Sequence, residues 1–280
     1  MLSARFLVLA IAAPAVAALG APLQPTGKWH LHYLESSCAA QRQFGDYALA
    51  LEVPPIGEAI RLVVVGPGPV GDTRQYDSMI DLADGRQPIR TSSLLYRRSE
   101  KGRRGLTTVL TPADAARVSS AHQLRISTLG SGPKSNRPAP SKKPVFTAEF
   151  AIGSTTALAK ELSKCVEDLR KHWGIVGSEF PEPAQKAKLK LQGIFKSSDY
   201  PRDAMTADQS GSTSYLLMID ENGVITDCLV KETSGAASID FMGCQVIRER
   251  AKAQPALDDS GKPTKSGYIA RVNWEIRDYR

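Results

Sequence analysis

The chain predicts an α+β fold: a strand-rich N-terminal domain with a closing helix, followed by a small domain of antiparallel sheet plus helices. Three observations carry that expectation. Short runs alternating apolar and polar residues recur between Gly/Pro turns through the first half. One long pattern with apolar residues at three- and four-residue spacing then reads as an amphipathic helix, 154–173. The last third places an Asn-Gly turn between two alternating runs, then a helix and a final strand. At 280 residues the chain has room for two domains of about 150 residues each. With 42% hydrophobic and 23% charged residues, wholesale disorder is excluded.

Residues 1–20 place one Arg (Arg5) before an apolar run that breaks into small residues, and Ala15-Val16-Ala17 fits an A-x-A cleavage site. The segment reads as a signal peptide and the mature chain as periplasmic, with no stable membrane span after cleavage. The run is short of the roughly 20 apolar residues a span needs. Retention as an uncleaved anchor is the alternative. The formal charge of +7 favours anionic partners, but export makes nucleic acid a poor one. Four cysteines in an oxidising compartment read as two disulfides. Their positions favour Cys38 with Cys165, bracketing the first domain, and Cys228 with Cys244 inside the last third. No C-x-x-C is present, and the spacings match no zinc pattern.

The first domain spans 21–173. Strands are expected over 27–37, Tyr47–Val53, Ala59–Val65, Ser93–Arg97, Gln123–Ser127 and Val145–Ile152. His30 and His32 share one face of the first and read as exposed strand histidines, not as a metal site. Gly66-Pro67-Gly68-Pro69 reads as a turn, because its prolines remove the backbone donors a phosphate loop needs. Arg97, Arg98, Lys101, Arg103 and Arg104 read as a solvated hairpin tip. Thr111 caps a short helix with Pro112 in its first turn. Residues 130–144 are rich in Pro, Ser and Lys and read as a flexible internal loop. The helix over 154–173 carries Cys165 on its apolar stripe. A bridge from there to Cys38 is worth about 4–5 kcal/mol in a chain-entropy account.

Residues 174–193 connect the domains, and alternating lysines in KAKLKLQ suggest a short, charge-protected edge strand. In the C-terminal domain, 194–280, Tyr200-Pro201 enters a short helix. The strands 212–220 and 224–233 flank Asn222-Gly223, which is read as a type I′ turn with positive φ at both residues. Ser238 is expected to cap a helix running to about Lys252, Pro255 to stop it, and 267–277 to form the last strand.

This order of motifs resembles the C-terminal domain of the TonB family over about residues 194–276. The matching residues are Tyr200, Pro201 and Ala204; Gly211; Asp220, Gly223 and Val224; Ser234 and Gly235; Asp240; Pro255 and Ala256; Gly261 and Pro263. Departures are Ala253, where the family favours an aromatic, Thr233 ahead of Ser234-Gly235, and the polar start Ser212-Thr213-Ser214. The resemblance implies a sheet with helices on one face. It also implies an open edge that accepts an extended segment of an outer-membrane receptor by strand addition. By position that edge is Tyr268, Ile269, Ala270, Arg271, Val272, Asn273 and Trp274.

A transducer of the TonB type also needs a membrane anchor and a long stiff spacer. Here a globular domain occupies the place of the spacer. The reading is therefore a periplasmic binding or adaptor protein that engages an envelope protein or peptidoglycan, with dimerisation by strand exchange open. No motif implies a cofactor or a catalytic residue: G-x-S-x-G, H-E-x-x-H and paired Cys-His signatures are missing. The alternatives are a secreted enzyme with its site in the first domain, and an anchored energy transducer.

Overall fold

The computed structural model describes residues 21–56, 60–68, 73–97, 102–129, 144–173, 175 and 183–276. The expected signal peptide, nearly all of the 130–144 loop and part of the 174–193 connection lie outside them. In the first domain the strands are β1 (His30–Tyr33), β2 (Cys38–Phe44), β3 (Tyr47–Val53), β4 (Ile60–Pro67), β5 (Arg74–Asp81), β6 (Ile89–Arg97), β7 (Arg103–Leu110), β8 (Leu124–Leu129) and β9 (Thr147–Phe150). Helix α1 (Pro112–Ser119) precedes β8 and α2 (Thr156–His172) follows β9. The second part holds β10 (Lys188–Lys190), α3 (Arg202–Thr206), β11 (Gly211–Ile219), β12 (Ile225–Glu232), α4 (Ala237–Arg250), β13 (Lys252–Gln254), β14 (Ala256–Leu257), β15 (Pro263–Thr264) and β16 (Ser266–Trp274).

The nine strands of the first domain form one antiparallel sheet in the order β1-β2-β3-β4-β7-β6-β5-β8-β9. Period-2 alternation drives it. Leu49 and Leu51 of β3, Leu62 and Val64 of β4, Leu106 and Leu110 of β7, and Leu124 and Ile126 of β8 are buried. The sheet curls until its far strands meet through the N-terminal segment. The Leu23 N–H donates to the Glu149 carbonyl at 2.8 Å, the Ala151 N–H to Leu23 at 3.0 Å, and the Thr26 N–H to Gln43 at 3.0 Å. Across that seam Phe44 and Phe150 stack edge to face, 5.0 Å between centroids. Helix α2 packs on β2, and the Cys38–Cys165 disulfide ties them with Cα atoms 6.1 Å apart.

Several local expectations change. β2, β5 and β7 are strands that the alternation does not announce. β2 (CAAQRQF) has no β-branched residue, and a run of polar and small residues hides its buried face. The Gly-Pro run is not all turn: β4 continues through Pro67, opposite Arg103. Gly66 is required there because a Cβ would lie 2.2 Å from the Tyr47 ring. Arg103 and Arg104 are strand residues and not a solvated tip. The Arg103 guanidinium donates to the Asp46 carbonyl, and Arg104 lies 4.8 Å over the Phe146 ring. Residues 98–101 lie outside the described set. His30 and His32 are exposed on β1. Thr111 does cap α1, accepting from the Asp114 N–H.

The second sheet is three-stranded, β12-β11-β16, all antiparallel. Odd residues of β11, such as Tyr215 and Leu217, face α4. Even ones point the other way, and Leu216 and Met218, with Leu229 of β12, join the buried cluster of the first domain that includes Leu62, Phe150 and Trp173. Each of these fully buried side chains contributes about 1.5–3 kcal/mol. The core therefore runs without a break from one sheet to the other. Helix α4 starts at Ala237 behind Ala236, which offers no side-chain cap. Ser238 sits inside the first turn and is not the cap. The cap comes instead from the first domain: the Ala237 N–H donates to Ser92 Oγ at 3.1 Å, and the Ser238 N–H and Oγ both donate to Gln75 Oε1 at 2.9 Å. Gln75 also donates its backbone N–H to Asp203 at 2.7 Å and its amide nitrogen to Gln209.

Gln75 thus joins β5 of the first domain to two helices of the second part. Gln75→Ala is expected to destabilise the whole chain by about 2 kcal/mol, since it orphans helix-terminal donors in a buried site. Urea unfolding followed by circular dichroism checks this. A single transition moving to lower urea is the expected result, and an unchanged midpoint would count against a shared fold.

Candidate partner-binding edge

The C-terminal sheet is built around the hairpin β11–β12. Asn222 has negative φ and only Gly223 is left-handed, at φ +76°. The Asp220 N–H donates to the Val224 carbonyl at 3.0 Å and the Gly223 N–H to Asp220 at 3.0 Å. This is a three-residue loop, a type I turn closed by a glycine bulge, in place of the expected type I′ turn. Asp220 explains the choice: its carboxylate accepts from the Asn222 and Val224 N–H groups, holding a turn that Asn-Gly alone does not select. The same bonds recur at Asp258-Asp259-Ser260-Gly261-Lys262 between β14 and β15. A Cβ on Gly223 would meet the Ala253 carbonyl at 2.5 Å, so Gly223 also lets the β13 backbone close in.

The remaining motif residues are mostly internal fasteners. Asp240, 4% exposed, accepts from Thr213 Oγ1 at 2.7 Å, Thr233 Oγ1 at 2.5 Å, and the Ser234 N–H and Oγ at 2.9 and 2.8 Å. The loop Thr233-Ser234-Gly235, with Gly235 at φ +87°, is thereby pinned to both β11 and α4. Burial pushes the Asp240 carboxyl above its ordinary value, against the pull of those four donors. Tyr215 donates to the Asp240 carbonyl at 3.2 Å, and Gly243 makes room for it, since a Cβ there would lie 1.9 Å from the hydroxyl. Tyr200 donates to the Gln209 carbonyl at 2.7 Å and stacks on Trp274 at 5.5 Å. Pro201 occupies the N-cap of α3. Pro255 does not stop α4, which ends at Arg250; it follows β13 instead. The Cys228–Cys244 disulfide joins β12 to α4 with Cα atoms 5.6 Å apart.

Parity along β11 decides which backbone groups are free. The Asp220 N–H bonds across to β12, so even residues of β11 bond to β12 and odd residues to β16. The β11–β16 register is regular from Gly211↔Trp274 to Ile219↔Ser266. On β16, therefore, Tyr268, Ala270, Val272 and Trp274 exchange bonds with β11. Ile269, Arg271 and Asn273 turn their N–H and C=O groups outward. Their side chains are exposed as well, Ile269 at 52%. Among the described residues no strand pairs on that side.

The opposite edge is different. The Cys228 N–H, which points away from β11, is taken by the Asp227 carboxylate at 2.7 Å, and Asp227 in turn accepts from Ser36 Oγ of the first domain. Next to Ser36, Ser37 donates to Glu52 at 2.6 Å, and Glu52 is paired with Arg61. A cleft of about 440 Å³ remains here, lined by Glu52, Arg61, Asp227, Val230, Phe241 and Arg248 among others. Gln75, Ser92, Ser36 and Asp227 escape sequence reasoning because each acts across 100 or more residues or through a partner that no local pattern names.

Two charges give this part a pH signature. Arg250 forms a double hydrogen bond to Asp199, at 2.6 and 2.9 Å, and holds its carboxyl below the ordinary value, with the Lys196 N–H assisting. That contribution is complete above the ordinary carboxylate pKa of 3.8 and is lost as pH falls through the lowered one. Asp240 acts in the reverse sense, costing stability as pH rises from 3.8 toward its raised value. Arg250→Ala is expected to weaken the acid limb of the stability–pH curve. Asp240→Ala, which removes the acceptor of four donors, is expected to cost about 3 kcal/mol at neutral pH. Thermal unfolding between pH 3 and 7, the range spanned by carboxylate titration, measures both.

A search of curated proteins and of solved structures finds no match to this chain. Residues 196–276, which hold the three-stranded sheet, its turns and the Asp240 fastener, match the family model described as Gram-negative bacterial TonB protein C-terminal; this part of the chain is a TonB-type C-terminal domain.

Proposed function

We propose that the chain is a periplasmic adaptor that holds an extended segment of an envelope protein on the outer edge of β16. The carrying observation is the asymmetry of the two sheet edges. On β12 the outward Cys228 N–H is taken by the Asp227 carboxylate, which Ser36 of the first domain holds in place. On β16 three consecutive outward residues, Ile269, Arg271 and Asn273, offer unpaired N–H and C=O groups with exposed side chains above them. A row of this kind is a template for a further strand. The match of 196–276 to the TonB C-terminal model supports an envelope-associated role and an outer-membrane receptor as the partner class.

The first domain supports an adaptor in place of a swinging arm. Shared burial of Leu216, Met218 and Leu229, and capping of α4 by Gln75 and Ser92, hold the TonB-type sheet at a set angle to a second body. The domain itself then offers further surface for a second partner or for the cell wall.

A photo-reactive residue at Asn273 should trap an envelope protein, while the same probe at Val230 on β12, which leaves Asp227 in place, should trap none. Arg271→Pro should abolish the Asn273 cross-link without unfolding the sheet, because its N–H points outward and edge strands tolerate proline there. Capture unaffected by Arg271→Pro, or capture of cell-wall fragments alone, would overturn the reading.

A further inference from the structure

We infer that the β10–β13 ribbon is a docking face for an anionic phospholipid surface. This goes beyond the β16 reading and does not depend on it. The two short strands pair antiparallel, with Lys188 opposite Gln254, Leu189 opposite Ala253 and Lys190 opposite Lys252. Leu189 packs against the buried cluster of Tyr215, Leu217, Ile247 and Ala270, and Ala253 against that of Ile219 and Ala256. By strand alternation, Lys188, Lys190, Lys252 and Gln254 then stand on the other face, and all four are exposed.

The pairing of Lys190 with Lys252 is what calls for a ligand. Like charges directly opposite on an antiparallel pair lie about 5 Å apart at Cβ and destabilise it. Protecting an edge from aggregation accounts for Lys188 and Lys190, since any charge serves that purpose. It does not account for a third lysine across from the second, where an acid would protect equally and form a pair. None of the three makes an ion pair among the described residues, unlike Arg250, Arg117 and Lys231. Nor is the cluster a by-product of a basic domain. Residues 183–276 carry equal numbers of Lys/Arg and Asp/Glu, so the charge has been gathered on one face.

The shape of the face selects the class of anion. The six paired residues include no aromatic ring, and its outer side presents three compact ammonium groups on a two-stranded ribbon. A sugar polymer is gripped by stacking rings and directed hydrogen bonds, and a defined phosphate ligand by a pocket or a guanidinium fork. Flexible lysines on such a ribbon suit a diffuse layer of phosphate headgroups, where each contributes about fivefold in affinity.

The test is co-sedimentation of the mature chain with vesicles containing phosphatidylglycerol, against pure phosphatidylcholine vesicles. Binding to the first, weakened by added salt, is expected, with an affinity loss on the order of a hundredfold for Lys188→Glu/Lys190→Glu/Lys252→Glu. The single change Lys252→Glu keeps the result interpretable if the triple variant folds poorly. It should raise the thermal midpoint by replacing a repulsive pair with an attractive one, and should lower vesicle binding at the same time. Equal binding to both vesicle types, salt-independent binding, or Lys252→Glu binding like wild type would each overturn the inference.

Discussion

The arrangement of this protein depends on one helix end that cannot satisfy itself. The first turn of α4 leaves backbone donors open, and Ala236 at the N-cap has no side-chain acceptor to offer. Ser92 and Gln75, on neighbouring strands of the first domain, supply the acceptors. A helix cap is ordinarily a local matter settled within four residues. Here it is settled between parts of the chain about 145 and 163 residues apart. The consequence is that α4, and with it β11 and β12, is oriented by the first domain. Continuous burial through Leu216, Met218 and Leu229 then makes that orientation costly to change.

Around this join the polar groups fall into two kinds. Asp240, with four donors, and Asp199, with its arginine fork, are spent on holding loops against the helix. Asp227 and Ser36 are spent on closing a strand edge. Little of this machinery points toward a ligand, which is why the motif residues shared with the TonB family describe a scaffold and not a site. The site candidate is defined by what is left unpaired on β16.

Much of the scaffold is legible in the sequence. The alternation in Tyr47–Val53 marks β3 to the residue, Thr111-Pro112 marks the start of α1, and the cysteine positions give both disulfides. What fails has a common cause. Ser238 looks like a cap because local chemistry says so, but the acceptor for its N–H lies on β5, and the serine becomes a second donor to Gln75. Asn222-Gly223 looks like a two-residue turn until Asp220 is seen to bond two amides beyond it. β2 lacks β-branched residues because its buried face is lined by Cys38 and Ala40, small enough for α2 to approach the sheet. β16 lies at an edge of the three-stranded sheet, as its place at the end of the chain suggests. Which of its residues face outward follows only from the hydrogen-bond parity of β11.

That single open edge also sets a valence. A sheet with two free edges can propagate, each added strand exposing a new site, as fibres do. Here the middle of the β12 edge is blocked at the Cys228 N–H by Asp227, itself held by Ser36. A strand that joins β16 therefore extends the sheet on one side only. Two copies meeting through β16 would use up both available edges in one two-fold contact, and growth would stop there. A β16-to-β16 pair is thus a closed dimer and not the start of a fibre.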